Sequence, residues 1–330
     1  HDDTSMSGPQ ILDAIKAAGI VGLGGAGFPT HVKLAPRNPE QIDYVIANGS
    51  ECEPYITCDD QLMRTRSDGI VEGMRLILRL FPNAKGVIAI EDNKPEAIAA
   101  MTTACASDSN ISVLEVKAKY PEGGERNLIG VVTGRQLRFG QLPADLGCVV
   151  CNVSSLNAIY RAVCKSEPLM TRLFTVSGDA VVKPHTMEVR IGTSCRELLE
   201  AAGGIKPECT AKKILCGGPM MGIAMSTLDV PIAKNNNALT VLAEDEVELA
   251  ENQMTACLRC GRCGHVCPIG LVPQMMAEAA ERKDYERYEK KLYGLDCIAC
   301  GSCTYICPAK RPLMQLFKQT KASIMAAKRK

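Results

Sequence analysis

Short apolar runs alternate with amphipathic helical patterns along the first half of the chain. The apolar runs are YVIAN (44–48), GVIAI (86–90), ISVLEV (111–116) and CVVCN (148–152). Helical patterns are centred on 67–80, 95–105, 124–131 and 154–164. Because parallel strands need crossover connections, this alternation predicts a mostly parallel sheet with helices packed on it. A further helix is predicted over 7–19, where a serine can cap the start and a glycine ends the segment.

The pattern changes in the second half of the chain. Apolar strand-like runs at 173–181, 186–192 and 212–218, with a short helical pattern at 194–202, predict a small α+β module. The segment PIAKNNN (231–237) is typical of a linker, and beyond it the patterns are helical, over 245–256, 271–291 and 310–328. The sequence therefore predicts three modules, which comprise residues 1–170, 171–236 and 237–330.

Composition narrows the class of protein. The 330 residues are 46% hydrophobic and 23% charged, with a net charge of +1, which is typical of a globular protein without a nucleic-acid-binding surface. No stretch approaches the roughly 20 apolar residues that span a bilayer, and no signal peptide is recognisable. We therefore expect a cytoplasmic chain without a membrane span, which can still dock peripherally on the inner face of a membrane complex.

Eight of the seventeen cysteines fall into two runs of identical spacing. The runs CLRCGRCGHVCP (257–268) and CIACGSCTYICP (297–308) both read C-x2-C-x2-C-x3-C-P, the spacing of bacterial two-cluster ferredoxins. In that arrangement the fourth cysteine of each run binds the other cluster. One 4Fe-4S cluster is therefore expected on Cys257, Cys260, Cys263 and Cys307, and the other on Cys297, Cys300, Cys303 and Cys267. Tetrahedral zinc is the alternative that paired CxxC elements leave open.

A glycine-rich segment, GIVGLGGAGFPTHVKL (19–34), follows the first predicted helix. Such a loop can present backbone N–H groups to a phosphate, although it lacks the G-x-G-x-x-G spacing that follows a strand in dinucleotide-binding folds. By itself the segment is compatible either with a phosphate-binding loop or with a simple turn.

Three motifs resemble a known family when taken together. The segments GLGGAGFPTHVK (22–33), NGSECEP (48–54) and YPEGGERNLI (120–129) resemble the flavin- and NADH-binding subunit of respiratory complex I. From about residue 10 to about residue 318 the chain more closely resembles the C subunit of Rnf-type ferredoxin:NAD oxidoreductases and its relative associated with clostridial proline reductase. The segment VSGDAVVKPHTMEVRIGTS (176–194) is similar to the ubiquitin-like SLBB module, and GGPMMG (217–222) also matches.

This resemblance implies three folds and two kinds of cofactor. It implies an α/β Rossmann-like flavin domain, a small α+β ubiquitin-like SLBB module and an α-helical ferredoxin-like domain with two 4Fe-4S clusters. FMN would be bound by the first domain, and NADH would be the substrate that stacks on it. The positions that match the family's cofactor-binding motifs are Gly22, Gly24, Gly25, Ala26, Phe28, Lys33, Asn48, Ser50, Glu51, Cys52, Tyr120, Gly123, Glu125, Asn152 and Ser155.

The residue types at these positions suit flavin chemistry. Lys33 can supply positive charge to a phosphate or to reduced flavin, and Phe28 offers a face for stacking. Asn48 and Asn152 supply amide donors and acceptors, and Glu125 is the residue we expect to meet the nicotinamide ribose. The alternative roles are a surface lysine, a core phenylalanine, capping asparagines and a solvated carboxylate.

The chain departs from the family at several positions. Ser50 and Cys52 replace an aspartate and a serine of complex I, and Gly124 stands where complex I has an acidic residue. Cys58 is predicted to lie on the loop after Glu53, either as a buried structural thiol or as a redox-active thiol near the flavin. Rnf-type C subunits have a further region before the glycine loop, so the sequence is expected to be either a piece of a longer protein or a different variant.

These observations predict an electron-transfer flavoprotein. Electrons would move, in either direction, between NADH, FMN, two 4Fe-4S clusters and a partner redox protein. The partner would be either the other subunits of an Rnf-type membrane complex or a soluble reductase. The alternative is a non-catalytic iron-sulfur conduit that takes electrons from the flavin of a partner.

Overall fold

The computed structural model of the chain describes residues 6–329. These residues form two compact units. One unit contains the chain up to Leu137 together with Gln141–Ala243, and the other contains Arg138–Gly140 and the chain from Glu244 onward. Residues 1–5 and residue 330 of the predicted modules lie outside the described residues.

A four-stranded parallel sheet organises the first part of the chain. Its strands are β1 (Tyr44–Gly49), β2 (Lys85–Glu91), β3 (Ile111–Val116) and β4 (Cys148–Asn152). They are arranged in the order β3-β2-β1-β4, and every neighbouring pair is parallel. Strands β1, β2 and β4 are mostly buried because both faces of the sheet are covered by helices, whereas the edge strand β3 exposes Ser112 and Glu115. The predicted parallel sheet is therefore confirmed.

The described residues of this part of the chain form seven α-helices. They are α1 (Gly8–Ala17), α2 (Thr30–Lys33), α3 (Cys58–Thr65), α4 (Ser67–Leu78), α5 (Pro95–Ala104), α6 (Glu125–Thr133) and α7 (Val153–Lys165). Alternate strand residues face opposite sides of the sheet. Val45 and Ile88 join a large core with residues of α1, α4 and α7, whereas Ile46 packs with Leu128 and Ile129 of α6 on the other side. The helices predicted near 67–80, 95–105 and 124–131 are confirmed.

The prediction that Cys58 lies on a loop is wrong, because Cys58 is the first residue of α3. The start of α3 is capped from a distance. The carboxylate of Glu51 accepts hydrogen bonds from the backbone N–H groups of Asp59, at 2.8 Å, and Asp60, at 3.0 Å. These groups are among those that the first turn of a helix leaves unpaired. Since the capping side chain is several residues upstream, the local pattern does not reveal the helix.

A mixed five-stranded sheet follows. Its strands are β5 (Thr171–Ser177), β6 (His185–Arg190), β7 (Lys213–Cys216), β8 (Ile223–Ala224) and β9 (Ala238–Leu242), in the order β6-β5-β9-β7-β8. The helix α8 (Cys195–Ala201) packs Leu198 and Leu199 into the core of this sheet. Strand β9 was not predicted, and it lies beyond the expected module boundary at residue 236. The three-module division therefore stays a prediction.

The described part of the second unit is helical and irregular, without a strand. Its helices are α9 (Glu246–Glu251), α10 (Arg262–His265), α11 (Pro273–Glu281), α12 (Ser302–Tyr305) and α13 (Leu313–Lys328). The predicted helices over 245–256 and 271–291 are too long. The second ends at Glu281 because Lys283 adopts a left-handed backbone conformation, with φ of 56°, and a separate π-helical turn covers Arg287–Lys291. Within residues 6–329 no helix is both long and apolar enough to cross a bilayer.

Candidate functional site

The glycine loop lies against the carboxyl end of β4 and the start of α7. The N–H of Leu23 donates to the hydroxyl of the buried Ser155 at 3.0 Å. A Cβ at Gly24 would lie 3.1 Å from the Cβ of Asn152, so the backbone of the loop packs closely on that asparagine. This edge, beyond the carboxyl ends of parallel strands, is where open α/β sheets bind ligands.

The middle of the glycine loop offers free hydrogen-bond donors. Within the described chain, the backbone N–H groups of Gly24, Gly25 and Ala26 have no hydrogen-bond partner, and all three residues are exposed. The loop is closed below them by a bond from the N–H of Gly22 to the carbonyl of Phe28, at 2.8 Å. Grouped N–H donors of this kind suit a phosphate. The side chain of Phe28 is 49% exposed, so Phe28 is not the core residue of the alternative reading.

Asn48 and Gly123 join the second and third motifs. The side-chain amide of Asn48 donates to the carbonyl of Gly123 at 2.8 Å, and its oxygen accepts the N–H of Ser50 at 3.1 Å. The N–H of Gly123 donates to the thiol sulfur of Cys52 at 3.4 Å. A Cβ at Gly123 would lie 2.3 Å from the carbonyl oxygen of Ser50, which only glycine avoids. Tyr120 lies on the segment that leads into this contact.

The hydroxyl group of Ser50 lies unpaired in this site. Its hydroxyl oxygen is buried and has no hydrogen-bond partner among the described residues. Leaving a buried hydroxyl unpaired costs about 1–3 kcal/mol, so such groups usually meet a ligand or water. Together with the free N–H groups of the glycine loop, this hydroxyl fits a phosphate-bearing, polyhydroxylated cofactor such as FMN.

Lys33 and Glu125 form an ion pair at the same edge of the sheet. Their charged atoms are 2.9 Å apart, and the ammonium of Lys33 also donates to the carbonyl of Val150 at 2.9 Å. Their side chains are 32% and 40% exposed, so solvent and a ligand can reach both. The structure thus pairs two predicted site residues with each other.

Asn152 is held by protein contacts as well. Its oxygen caps α7 through the N–H of Ser154 at 2.9 Å, and its amide donates to the carboxylate of Asp59 at 2.7 Å. This is the capping role of the alternative reading, although Asn152 also supports Gly24.

Glu51 and Cys58 lie next to each other below the site. Burial, reinforced by the nearby carboxylate of Asp59, raises the pKa of Glu51 to about 7. Burial also raises the pKa of the Cys58 thiol well above its usual value. Since the thiolate is the reactive form of cysteine, these surroundings favour the structural-thiol reading of Cys58.

Two donors from the segment that precedes β9 hold the glycine loop. The amide of Asn235 donates to the carbonyl of Gly25 at 3.0 Å, and the ammonium of Lys234 donates to the carbonyl of Gly19 at 2.6 Å. Both residues belong to the stretch that the sequence predicts to be a linker. Their roles have no signal in the local pattern.

Arg172 on β5 is a third donor to the loop. Its buried guanidinium donates to the carbonyls of Leu23, at 3.3 Å, and Lys234, at 2.6 Å. Glu53 makes a further link, because its carboxylate accepts the N–H groups of Met220, at 2.7 Å, and Met221, at 3.0 Å. The segment GGPMMG (217–222) therefore contacts the motif NGSECEP (48–54) directly.

The first predicted cluster site is a pocket in the second unit. None of the seventeen cysteines, all of which lie within residues 6–329, forms a disulfide bond. One pocket is lined by all four of the cysteines expected to bind the first cluster, Cys257, Cys260, Cys263 and Cys307. The fourth thiol comes from the other run, so the structure brings together the crossed set that the spacing predicts.

The second expected set is also close together. Burial raises the pKa of the Cys303 thiol to about 12, and the neighbouring Cys297, Cys300 and Cys267 thiols add to this effect. Cys267 is therefore within electrostatic reach of the other run. Among the described residues, no three His, Cys, Asp or Glu side chains converge tightly enough to hold a single metal ion.

Comparisons with known proteins place these features in three families. The chain matches the Nuo51 FMN-binding domain over residues 15–161, the SLBB domain over residues 173–224 and a 4Fe-4S dicluster domain over residues 256–312. The fold and the matched domains define an iron-sulfur flavoprotein. The expected combination of an α/β flavin domain, an SLBB module and a ferredoxin-like domain is confirmed.

Its relatives are subunits of oxidoreductase complexes. The chain is 44% identical to the C subunit of the proton-translocating ferredoxin:NAD⁺ oxidoreductase complex of Clostridium ljungdahlii, over 98% of its own length and 69% of that protein. It is 42% identical to the C subunit of the Na⁺-translocating complex of Acetobacterium woodii, over 98% of its length and 72% of that protein. It covers 50% of the C subunit of an ion-translocating oxidoreductase complex of Haemophilus influenzae, at 43% identity. The chain belongs to the family of these C subunits.

A solved structure shares the fold. An NAD⁺-reducing [NiFe]-hydrogenase in the H₂-reduced state superposes with a TM-score of 0.68 at 22% identity, over 96% of this chain and 63% of the hydrogenase chain. The same architecture therefore occurs in a distant protein.

Proposed function

We propose that this chain moves electrons between NADH, FMN and two 4Fe-4S clusters, to or from a partner redox protein. The observation that carries the proposal is the pocket lined by Cys257, Cys260, Cys263 and Cys307, a thiol set that takes its fourth member from the other run. Crossed ligation makes two clusters near neighbours, which suits the passage of single electrons.

The residues of the first unit would bind and orient the organic cofactors. The N–H groups of Gly24, Gly25 and Ala26 would bind the FMN phosphate, and the hydroxyl of Ser50 would receive a polar group of the cofactor. The exposed ring of Phe28 offers a stacking face. FMN held by these residues would supply the chemistry that links the two-electron oxidation of NADH to the one-electron reduction of iron-sulfur clusters.

Lys33 and Glu125 would act at the nicotinamide side. The carboxylate of Glu125 forms an ion pair with the ammonium of Lys33. It is also exposed enough to accept hydrogen bonds from the hydroxyl groups of a ribose. Lys33 would hold positive charge near the reduced flavin. The remaining predicted residues, including Asn48, Asn152 and Ser155, would hold the loops that carry these groups.

The partners would be the other subunits of an Rnf-type membrane complex. The names of the relatives support this assignment, since they are C subunits of ion-translocating complexes and two of the complexes are named ferredoxin:NAD⁺ oxidoreductases. The chain would then lie at the membrane as a peripheral subunit.

Anaerobically purified, reconstituted protein tests the proposal. We expect flavin absorbance beside the broad iron-sulfur absorbance, about eight iron atoms per chain, and bleaching on addition of NADH. NADPH serves as the comparison for nicotinamide choice. Protein that binds no FMN and does not bleach would instead be an iron-sulfur conduit, and colourless protein with about two zinc ions would contradict the cluster assignment.

A further inference from the structure

We propose that the first cysteine run, CLRCGRCGHVCP (257–268), is the surface through which electrons enter or leave the second unit, and that its partner is an acidic redox protein. The inference rests on the proposed function, because it takes the eight cysteines as ligands of two clusters. It goes beyond that function by assigning the cluster that faces the partner and the charge of the partner's surface.

The first run is open to solvent. Cys257 and Cys260 are exposed, and Leu258 between them is 63% exposed. Residues 251–262 form an unbroken stretch of exposed positions that leads into this run. A partner could therefore approach the first cluster closely, and an exposed leucine at the centre of a contact suits a weak, transient redox interface.

Most of the second run is covered by its own unit, and its exposed positions are Tyr305 and Pro308. Cys300 is buried, and the ammonium of Lys321 on α13 donates to the carbonyls of Leu295, at 2.9 Å, and Cys297, at 3.4 Å. The fully buried ring of Tyr288 packs in the same core. The second cluster would thus be the internal member of the pair.

The first run also carries unpaired positive charge. Within the described chain, the side chains of Arg259, Arg262 and Lys310 have no hydrogen-bond or ion-pair partner, and all three residues are exposed. The segments 257–268 and 297–312 contain no aspartate or glutamate. A surface of this sign attracts an acidic partner and accelerates its association.

A groove beside Cys257 extends the same surface. The charged lining of the groove includes Arg259, Arg282 and Arg311 together with Glu278 and Glu281. Glu278 pairs with Arg282, and Glu281 pairs with Arg311, so these four charges offset one another. Arg259 remains as the uncompensated charge of the groove.

Binding measurements test the charge of the surface. We would measure the affinity of the reconstituted full chain for an acidic two-cluster ferredoxin by calorimetry, at low and high salt. The double variant Arg259→Gln/Arg262→Gln should weaken binding by about five- to tenfold at low salt, and less at high salt. Lys183→Gln/Arg190→Gln removes the same charge from exposed positions of the other unit and should leave the affinity unchanged.

Two results would overturn the electrostatic part. One is equal weakening in the two double variants, and the other is an affinity that neither substitution nor salt alters. Redox titration distinguishes binding of the partner from a second possible role of the two arginines, which is to compensate the charge of the cluster. If Arg259→Gln/Arg262→Gln shifts the potential of the cluster but leaves the affinity intact, the arginines only compensate cluster charge and the proposal is wrong.

Photo-crosslinking tests which cluster meets the partner. A benzophenone side chain is introduced at Leu258 or at Tyr293, which is close to the second run in sequence and has the same exposure, 63%. We expect ferredoxin to crosslink at position 258 and not at position 293. Crosslinking only at 293 would assign the exchange surface to the second run. Iron and FMN content, measured on the same samples, would reveal a failure of the proposed function itself.

Discussion

The side-chain amide of Asn235 donates to the backbone carbonyl of Gly25 across 3.0 Å, which ties the segment before β9 to the glycine loop. Because that loop carries the free N–H groups expected to bind phosphate, its conformation should set flavin affinity. We expect Asn235→Ala to weaken FMN binding by about three- to tenfold, equivalent to one lost hydrogen bond, with little change in Tm. Quenching of flavin fluorescence during titration measures the affinity.

Asn83→Ala is the matched control for this prediction. Its amide also donates to a backbone carbonyl, that of Glu40 at 2.9 Å, and the contact is likewise exposed. We expect this variant to bind FMN normally. Equal weakening in both variants would mean that the loss reflects general destabilisation, and the role assigned to Asn235 would be wrong.

Gly123→Ala should damage the site far more than another glycine substitution in the same region. The new Cβ would lie 2.3 Å from the carbonyl oxygen of Ser50, so the second and third motifs must separate. We expect a loss of about 2–4 kcal/mol in the free energy of unfolding and loss of FMN from the purified protein. Chemical denaturation and flavin content measure the two effects.

Gly130→Ala provides the comparison. A Cβ there would meet its nearest atom at 3.7 Å, an ordinary contact, and the residue lies inside α6. Alanine should be neutral or stabilise the helix by up to about 1 kcal/mol, with FMN retained. If both glycine variants bind FMN normally, the contact between Ser50 and Gly123 does not shape the site.

The free energy of unfolding of the first unit should depend on pH through the titration of Glu51. Burial raises the pKa of this carboxyl from 4.5 to about 7 in the folded protein, so the native state holds the proton more tightly than the unfolded chain. Its stabilising contribution is complete below pH 4.5 and is lost as the pH rises through about 7. Relative to wild type, Glu51→Gln should gain on the order of 1–3 kcal/mol between these limits.

Urea denaturation at several pH values between 4.5 and 7.5 tests this prediction, with Glu208→Gln as an exposed control. The stability difference between wild type and Glu51→Gln should drift with pH, whereas that for the control should stay flat. A flat difference for both variants would contradict the raised pKa.

Tyr288 should tune the second cluster. Its ring is fully buried in the core that contains Cys297 and Cys303, and its hydroxyl has no hydrogen-bond partner in the described chain. A hydrogen bond from this hydroxyl to a cluster sulfur would stabilise the more negative, reduced state. Tyr288→Phe should lower one cluster potential by about 40 mV, the equivalent of about 1 kcal/mol, while Tyr293→Phe should not. Identical potentials in wild type and Tyr288→Phe would show that the hydroxyl makes no such bond.

The strands and the cysteine sets could be predicted from the sequence because the pattern that identifies each of them lies within a short segment of the chain. The runs of β1, β2 and β4 have apolar residues on both faces, and each of the two cysteine runs contains the ligand spacing within twelve residues. Helix α3 was missed because Glu51, outside the helix, caps its first turn. Strand β9 was missed because a short apolar run after an asparagine stretch gives no sign that it lies at the centre of a sheet.

The contacts that hold the glycine loop could not be predicted either. Arg172 is a single polar residue just before the strand predicted over 173–181, and Lys234 and Asn235 lie in the predicted linker. Their partners are backbone carbonyls more than a hundred residues away, at Leu23, Gly19 and Gly25. Every residue has a backbone carbonyl, so the identity of the accepting residue does not indicate that it accepts such a hydrogen bond. A single sequence therefore gives no sign of which residues are bonded in this way.

Anaerobic titration of the reconstituted wild-type chain with NADH, followed by optical and EPR spectroscopy together, tests the electron path most directly. We predict that the flavin band bleaches and that signals of two reduced, neighbouring iron-sulfur clusters appear in the same titration. Bleaching of the flavin while both clusters remain oxidised at equilibrium with excess NADH would contradict the proposed path from nicotinamide to cysteines.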